Sequence, residues 1–150
     1  MSGLVGEHLA TAAILQRGWS CAMVMQDDFD LICTKSRESY RVQVRSCQLS
    51  KRTRYSKNTM QFQVGKGRDK RFPSADDYDI LALVSSEQRG CFFMPMSAID
   101  RIKYTKPFSF FSPEREIESW NQTIRTLRDE HTKQTTMRNN RARHGSSSNR

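Results

Sequence analysis

The chain has 150 residues, 36% of them apolar, enough for a single domain with a modest core. No apolar run approaches the roughly 18 residues of a membrane span, and no charged n-region precedes an apolar h-region, so neither a membrane span nor a secretory signal is expected and a cytoplasmic protein is. The net charge of +9 is unevenly placed: residues 41–71 hold ten Lys/Arg against Asp69 alone, and residues 132–150 hold five and no acid. Two basic blocks on a mildly acidic body point to a polyanionic partner, most simply nucleic acid. Cys21, Cys33, Cys47 and Cys91 form no CxxC pair and the histidines lack ligand spacing. That argues against zinc and for reduced thiols in or near the core.

Residues 2–17 read as a helix with an apolar stripe of Val5, Leu9, Ala12 and Ala13, with Ile14 or Leu15, ended by Gly18. Glu7 lies in its first two turns, where the helix dipole or plain solvation accounts for an acid equally well. Residues 19–25 read as a strand. Residues 28–33 and 41–45 then read as a hairpin. Asp28, Asp30 and Ile32 share one face of its first strand, with Phe29, Leu31 and Cys33 on the other. On its second strand Val42 and Val44 oppose Arg41, Gln43 and Arg45. An even turn over 35–38 pairs Thr34 with Ser39 and sets Asp30 directly opposite Gln43, whereas an odd turn puts them on opposite faces. The polar face would look to water, as in a half-exposed antiparallel sheet.

From 49 to 72 the composition turns basic, and this stretch is expected to contact nucleic acid. Arg52, Arg54 and Lys57, interleaved with Tyr55, suit a phosphate backbone. Lys51, Lys66, Arg68, Lys70 and Arg71 extend the patch, and Arg41 adjoins it. Residues 61–64 read as a short strand within it. Residues 79–85 are the most apolar run and read as a buried central strand, with a return strand at 91–95. A short helix is expected over 98–104. Phe108, Phe110 and Phe111 are core or interface material. Ser112 and Pro113 open a helix over 113–131, with Ile117, Trp120, Ile124 and Leu127 as its buried stripe. Residues 132–150 read as a disordered basic tail, leaving a folded domain of residues 1–131.

In order, GEHLATAAILQRGW, DDFDLIC, YRVQVRSCQ, DYDILALV and GCFFMP resemble the PD-(D/E)XK nuclease superfamily. The likeness is greatest to its Gln-x-Lys branch, which includes certain group I intron homing endonucleases. The resemblance implies an α/β (α+β) fold: the mixed central sheet of the restriction-endonuclease-like αβββαβ core with flanking helices. It also implies Mg²⁺-dependent hydrolysis of DNA phosphodiesters, and a bacterial or phage-infected cell is the expected setting. Because one site cuts one strand and a double-strand break needs two, a homo-oligomer (dimer or tetramer) acting on double-stranded DNA is expected. Matched by position, Glu7, Asp30 and Gln43 are the metal ligands, with Asp28 as an alternative acid. Arg45 stands where the branch has Lys. Arginine is effectively never deprotonated, which excludes it as a base but leaves it able to stabilise negative charge. Two rivals follow: a nuclease fold that binds DNA without cutting, and a basic RNA-binding protein. A Holliday-junction resolvase is a variant of the first reading.

Overall fold

The computed structural model describes residues 2–25, 27–47 and 59–145. Helix α1 (Ser2–Gln16) leads into strands β1 (Ser20–Met23), β2 (Leu31–Lys35) and β3 (Glu38–Ser46). Strand β4 (Thr59–Gln63) follows, then β5 (Ile80–Ser85), β6 (Gly90–Pro95), β7 (Lys103–Pro107) and the long helix α2 (Pro113–Gly145). Five strands form one mixed sheet in the order β1-β2-β3-β5-β6; β4 and β7 pair separately. Only β3 and β5 are parallel within the larger sheet. Helix, antiparallel meander and a crossover to a parallel strand reproduce the expected core with one departure. Among the described residues no α-helix lies in the β3–β5 crossover, which carries β4 instead.

The hairpin register is even. Thr34 pairs with Ser39 and Lys35 with Glu38, leaving Ser36 and Arg37 as the turn. Ser36 takes φ +55°, the left-handed conformation that tight hairpins demand. Alternation puts Leu31, Cys33, Val42 and Val44 on one face, packed with Ala10, Ala13 and Ile14 of α1 and Trp120 and Ile124 of α2. The other face is not open to water. Leu81 and Leu83 lie there with Met60, Phe62, Val64 and Tyr104, because the β4–β7 ribbon covers it. This is why all of β5 is buried. Phe29 also joins this second cluster rather than Leu31 and Cys33. It precedes β2 in a bend, where strand alternation no longer applies.

Three expectations are corrected by packing. α1 buries Gly6, Ala10, Ala13 and Ile14 and leaves Val5 and Ala12 exposed, because its small side chains allow close approach to β3. Residues 98–104 form no helix: a short 3-10 turn, Met96–Ala98, precedes β7, and β7 pairs with β4 through Tyr104↔Phe62. α2 continues to Gly145 through the segment expected to be disordered, with every residue of 131–145 exposed. Nucleation is complete upstream and no Pro or Gly interrupts residues 132–144, so each added residue only propagates the helix.

Within α2, Ile117 is exposed; Ser119, Trp120, Thr123 and Ile124 are the buried residues. Two of its polar side chains serve the edge strand β6. Cys91 N–H donates to Glu116 Oε2 at 2.8 Å and Phe93 N–H donates to Ser119 Oγ at 3.0 Å, covering an edge that would otherwise offer unpaired amides. Phe111 is buried against Phe62, which takes it out of the surface expected to join subunits. The four cysteines are free thiols, and burial pushes Cys33 up to about 12. No helix among the described residues is long and apolar enough to cross a membrane.

Candidate active site

β2 and β3 pair only as far as Leu31↔Val42, yet β3 runs on to Ser46. A gap therefore opens in the sheet beside Gln43–Ser46, and Asp30 sits at its mouth. Continuing the register sets Asp30 opposite Gln43. Its Oδ2 accepts Val44 N–H at 2.7 Å, replacing a strand partner that β2 no longer supplies, and also accepts Gln43 Nε2 at 2.5 Å. A carboxylate thus closes the open flank of β3, and a gap in the sheet lets groups from both faces reach one place. That place is a cavity of about 630 Å³ whose walls include Glu7, Asp30, Gln43, Arg45 and Lys70. All four residues matched by position in the sequence face it together.

Glu7 arrives from the α1 side. A β-carbon on buried Gly6 would lie 2.0 Å from Ser46 Oγ and 3.3 Å from Ser46 Cβ, so the absence of a side chain there lets α1 rest on the end of β3. The next residue, Glu7, is carried to the cavity by that contact. Burial raises the Glu7 pKa above the usual carboxylate range, and the charge of Asp30 adds to the rise. Burial also raises Asp30, offset in part by the Val44 amide, Arg45 and Gln43. Two carboxylates line the cavity, both held above their ordinary pKa chiefly by burial, so their charged forms are poorly solvated there.

With the Gln43 amide oxygen they make an all-oxygen donor set, the kind Mg²⁺ accepts. Among the described residues no third His, Cys, Asp or Glu gathers with them, so the amide is the remaining first-choice donor. Asp28 is no substitute: its side chain is 58% exposed and its Oδ1 is bonded to Lys66 Nζ at 2.5 Å.

Two cations complete the walls. Arg45 Nε is buried with no acceptor, a donor left over for a ligand oxygen. Lys70 comes from the turn after β4, where sequence reasoning assigned it only to general DNA contact. That turn is built tightly. Lys66 and Arg71 exchange backbone hydrogen bonds at 2.8 and 3.0 Å, Gly67 takes φ +74° and Lys70 φ +51°. A β-carbon on Gly65 would meet the Lys70 backbone at 2.9 Å, so glycine is required for the turn to fold against its own base. Nothing in composition distinguishes Lys70 from its neighbours; only the turn geometry does.

The other expected DNA contacts divide into three sets. Arg41 is engaged inside the protein, donating to Asp79 Oδ1 and Oδ2 and to the carbonyls of Ala75 and Asp76 at 2.7–3.2 Å. Lys66 and Arg71 are likewise bound to buried Asp77. Arg68 and Lys70 are exposed. Lys51, Arg52, Arg54, Tyr55 and Lys57 lie outside the described residues.

No protein-family model matches the chain, and no curated protein does. Among solved structures it is similar to the bacterial homing endonuclease I-Ssp6803I, at 16% identity and a TM-score of 0.66, over 87% of this chain and 95% of that one. A Holliday junction resolvase, Hjc of the archaeal hyperthermophile Archaeoglobus fulgidus, matches at 12% identity and a TM-score of 0.43, over 74% of this chain and 88% of that one. Likeness at the first of these levels is likeness of fold: the chain shares the restriction-endonuclease-like architecture of that structure, a mixed five-stranded sheet with flanking helices.

Proposed function

We propose that the chain is a Mg²⁺-dependent endonuclease that hydrolyses phosphodiester bonds in double-stranded DNA. The observation that carries this reading is the convergence of Glu7, Asp30, Gln43 and Arg45 on one cavity at the gap in the sheet. Glu7, Asp30 and the Gln43 amide would hold the ion. When bound, Mg²⁺ supplies positive charge against the phosphate oxygens and acidifies the attacking water.

The protein groups then have distinct tasks. Asp30, locked by the Val44 amide, keeps its carboxylate in one orientation. Arg45 Nε and the Lys70 ammonium stand where they can take phosphate oxygens and oppose the charge that grows on them in the transition state. Arg45 cannot accept a proton from water, so its contribution is electrostatic. Lys70, as a compact ammonium on a fixed turn, is the group suited to orient water or protonate the leaving oxygen.

Supercoiled plasmid incubated with Mg²⁺ should be nicked or linearised by the wild type and left intact in EDTA. Glu7→Ala should slow cutting by at least the roughly 10- to 100-fold that losing a mere supporter of a metal ligand costs, since here a ligand itself is removed. Equal cutting by variant and wild type, or cutting in EDTA, would refute the assignment. Lys70→Met should lower turnover by roughly 100-fold or more while leaving duplex affinity nearly unchanged. A rise in KM alone would make Lys70 a binding contact instead.

One observation favours a second reading. Arg45 occupies the lysine position and buries its Nε, as a binding-only descendant of a nuclease could. Arg45→Lys separates the two: a gain of cleavage indicates a degenerate site, whereas unchanged or reduced cleavage indicates a working arginine.

A further inference from the structure

We propose that a second cleft, at the end of α1 remote from Glu7, binds a phosphate group. It encloses about 430 Å³ between the C-terminal end of α1, the β2–β3 hairpin and α2. Each of these elements sends cations to it: Arg17 just beyond α1, Lys35 at the end of β2, Arg125 and Arg128 from α2. Lys35 Nζ reaches to 3.8 Å from where a β-carbon on Gly18 would stand. Arg128 is partly spent, donating to both oxygens of Glu38 at 2.8–3.1 Å, and Asp129 also lines the cleft. Four cations against these two acids leave two positive charges in excess.

The helix dipole explains why Arg17 and Lys35 gather at the C-terminal end of α1. It does not explain Arg125, nor the Arg17 Nε, which is buried with no acceptor. An unpaired buried donor calls for an oxygen. The floor of the cleft is Trp19, Trp120 and Ile124, at 5%, 2% and 5% exposure. Over so apolar a floor, attraction between cation and anion is screened less than in open water. A phosphate has several acceptor oxygens that guanidinium forks engage bidentately, and as a monoester it carries close to two charges at neutral pH. It matches both the excess charge and the orphan donor; a single carboxylate matches half of the charge. Arg17, one residue past the end of α1, is ten residues on from Glu7, about 15 Å at 1.5 Å per residue, so this phosphate is not the one under attack.

The two charges belong either to a free phosphate or nucleotide monoester, or to two neighbouring phosphodiesters of a nucleic-acid backbone, each carrying one. The only two tryptophans in the chain, Trp19 and Trp120, line this cleft and not the catalytic cavity, so tryptophan fluorescence reads it selectively. Inorganic phosphate, a nucleoside 5′-monophosphate and a short duplex with 5′-hydroxyl ends would each be titrated in EDTA. At least one should give a saturable change that weakens tenfold or more in Arg17→Gln/Arg125→Gln. Lys35→Gln serves as a second variant, and melting curves check that both fold. A response to phosphate and nucleotide alone identifies a free ligand. A response to duplex, with the salt slope reduced by about 0.9 per lost contact, identifies the backbone. No saturable change with any probe, or one retained by the double variant, overturns the proposal. The nuclease reading stands apart from this test, because Asp30→Asn, which removes cutting, should leave the responses to inorganic phosphate and nucleotide unchanged and should not abolish one to duplex.

Discussion

Asp30→Asn should reduce plasmid cleavage by roughly 10²- to 10³-fold, among the largest losses expected from single changes at the site. Asparagine keeps an oxygen to accept Val44 N–H, now at 2.7 Å from the carboxylate, so the open flank of β3 stays closed and the fold survives. What disappears is one of the two negative charges that would hold the metal. The same charge repels DNA in metal-free protein, so duplex binding in EDTA should tighten several-fold even as cutting is lost.

A second readout needs no substrate. Glu7 and Asp30 both have folded-state pKa values raised by burial, and Asp30 further raises Glu7. For an acid shifted in this direction the folded state holds its proton more tightly than the unfolded one. Stability is then greatest below the unfolded values of about 4 and falls as pH rises through the folded values. Metal-free protein should therefore lose melting temperature toward neutrality, Mg²⁺ should restore it at pH 7, and Asp30→Asn should remove most of both effects. A variant that cuts like the wild type, or a wild type whose melting ignores Mg²⁺ at pH 7, places the metal elsewhere.

The residues expected at the site could be read because β-structure carries a period of two. Once the hairpin turn is even, Asp30 must face Gln43, and Ser36 with its left-handed φ delivers an even turn. The acid on α1 was legible only through the order of motifs, since the contact that places Glu7 is made by Gly6. A glycine has no hydrophobic signal, and the helix face that buries Gly6, Ala10 and Ala13 was hidden behind larger but exposed Val5 and Leu15. β7 was missed for a related reason. Of Lys103–Pro107 only Tyr104 is buried, and the segment is a strand because β4, some 40 residues earlier, lies beside it. The β4–β7 ribbon in turn converts the expected water-facing side of the sheet into a second core. Exposed residues 132–145 show the opposite limit: composition reports that nothing there needs burial, not whether a helix begun at Pro113 will stop.

Charge is where composition misled most, and Asp77 tests the correction. Its carboxylate is 8% exposed and accepts from Lys66 Nζ at 2.7 Å, Arg71 at 3.0 and 3.1 Å, and Ser74 N–H at 2.8 Å. Arg71 first, then Lys66 and the Ser74 amide, hold it far below the usual carboxylate range. An acid shifted downward stabilises the fold at every pH above its unfolded value, about 3.9, and loses that contribution only as pH falls through the lower folded value. Its effect should accordingly be constant from pH 5 to 8 and erode only in strong acid.

Asp77→Ala leaves Lys66 to Asp28 alone and the Ser74 amide without its acceptor, while half-exposed Arg71 can rehydrate. The expected cost is about 3 kcal/mol, the lower range for breaking a buried ion pair, or roughly 10 °C in melting temperature for a domain of this size. Cleavage should fall as well, since the turn bearing Gly65, Gly67 and Lys70 is fastened to the body through Lys66 and Arg71. Lys66→Met provides the complementary reading. If Lys66 is held by Asp77 and Asp28, the variant melts earlier but binds DNA with the wild-type salt slope. A slope shallower by about 0.9 with unchanged melting would return Lys66 to the DNA interface, and with it the view that the basic block acts as one surface.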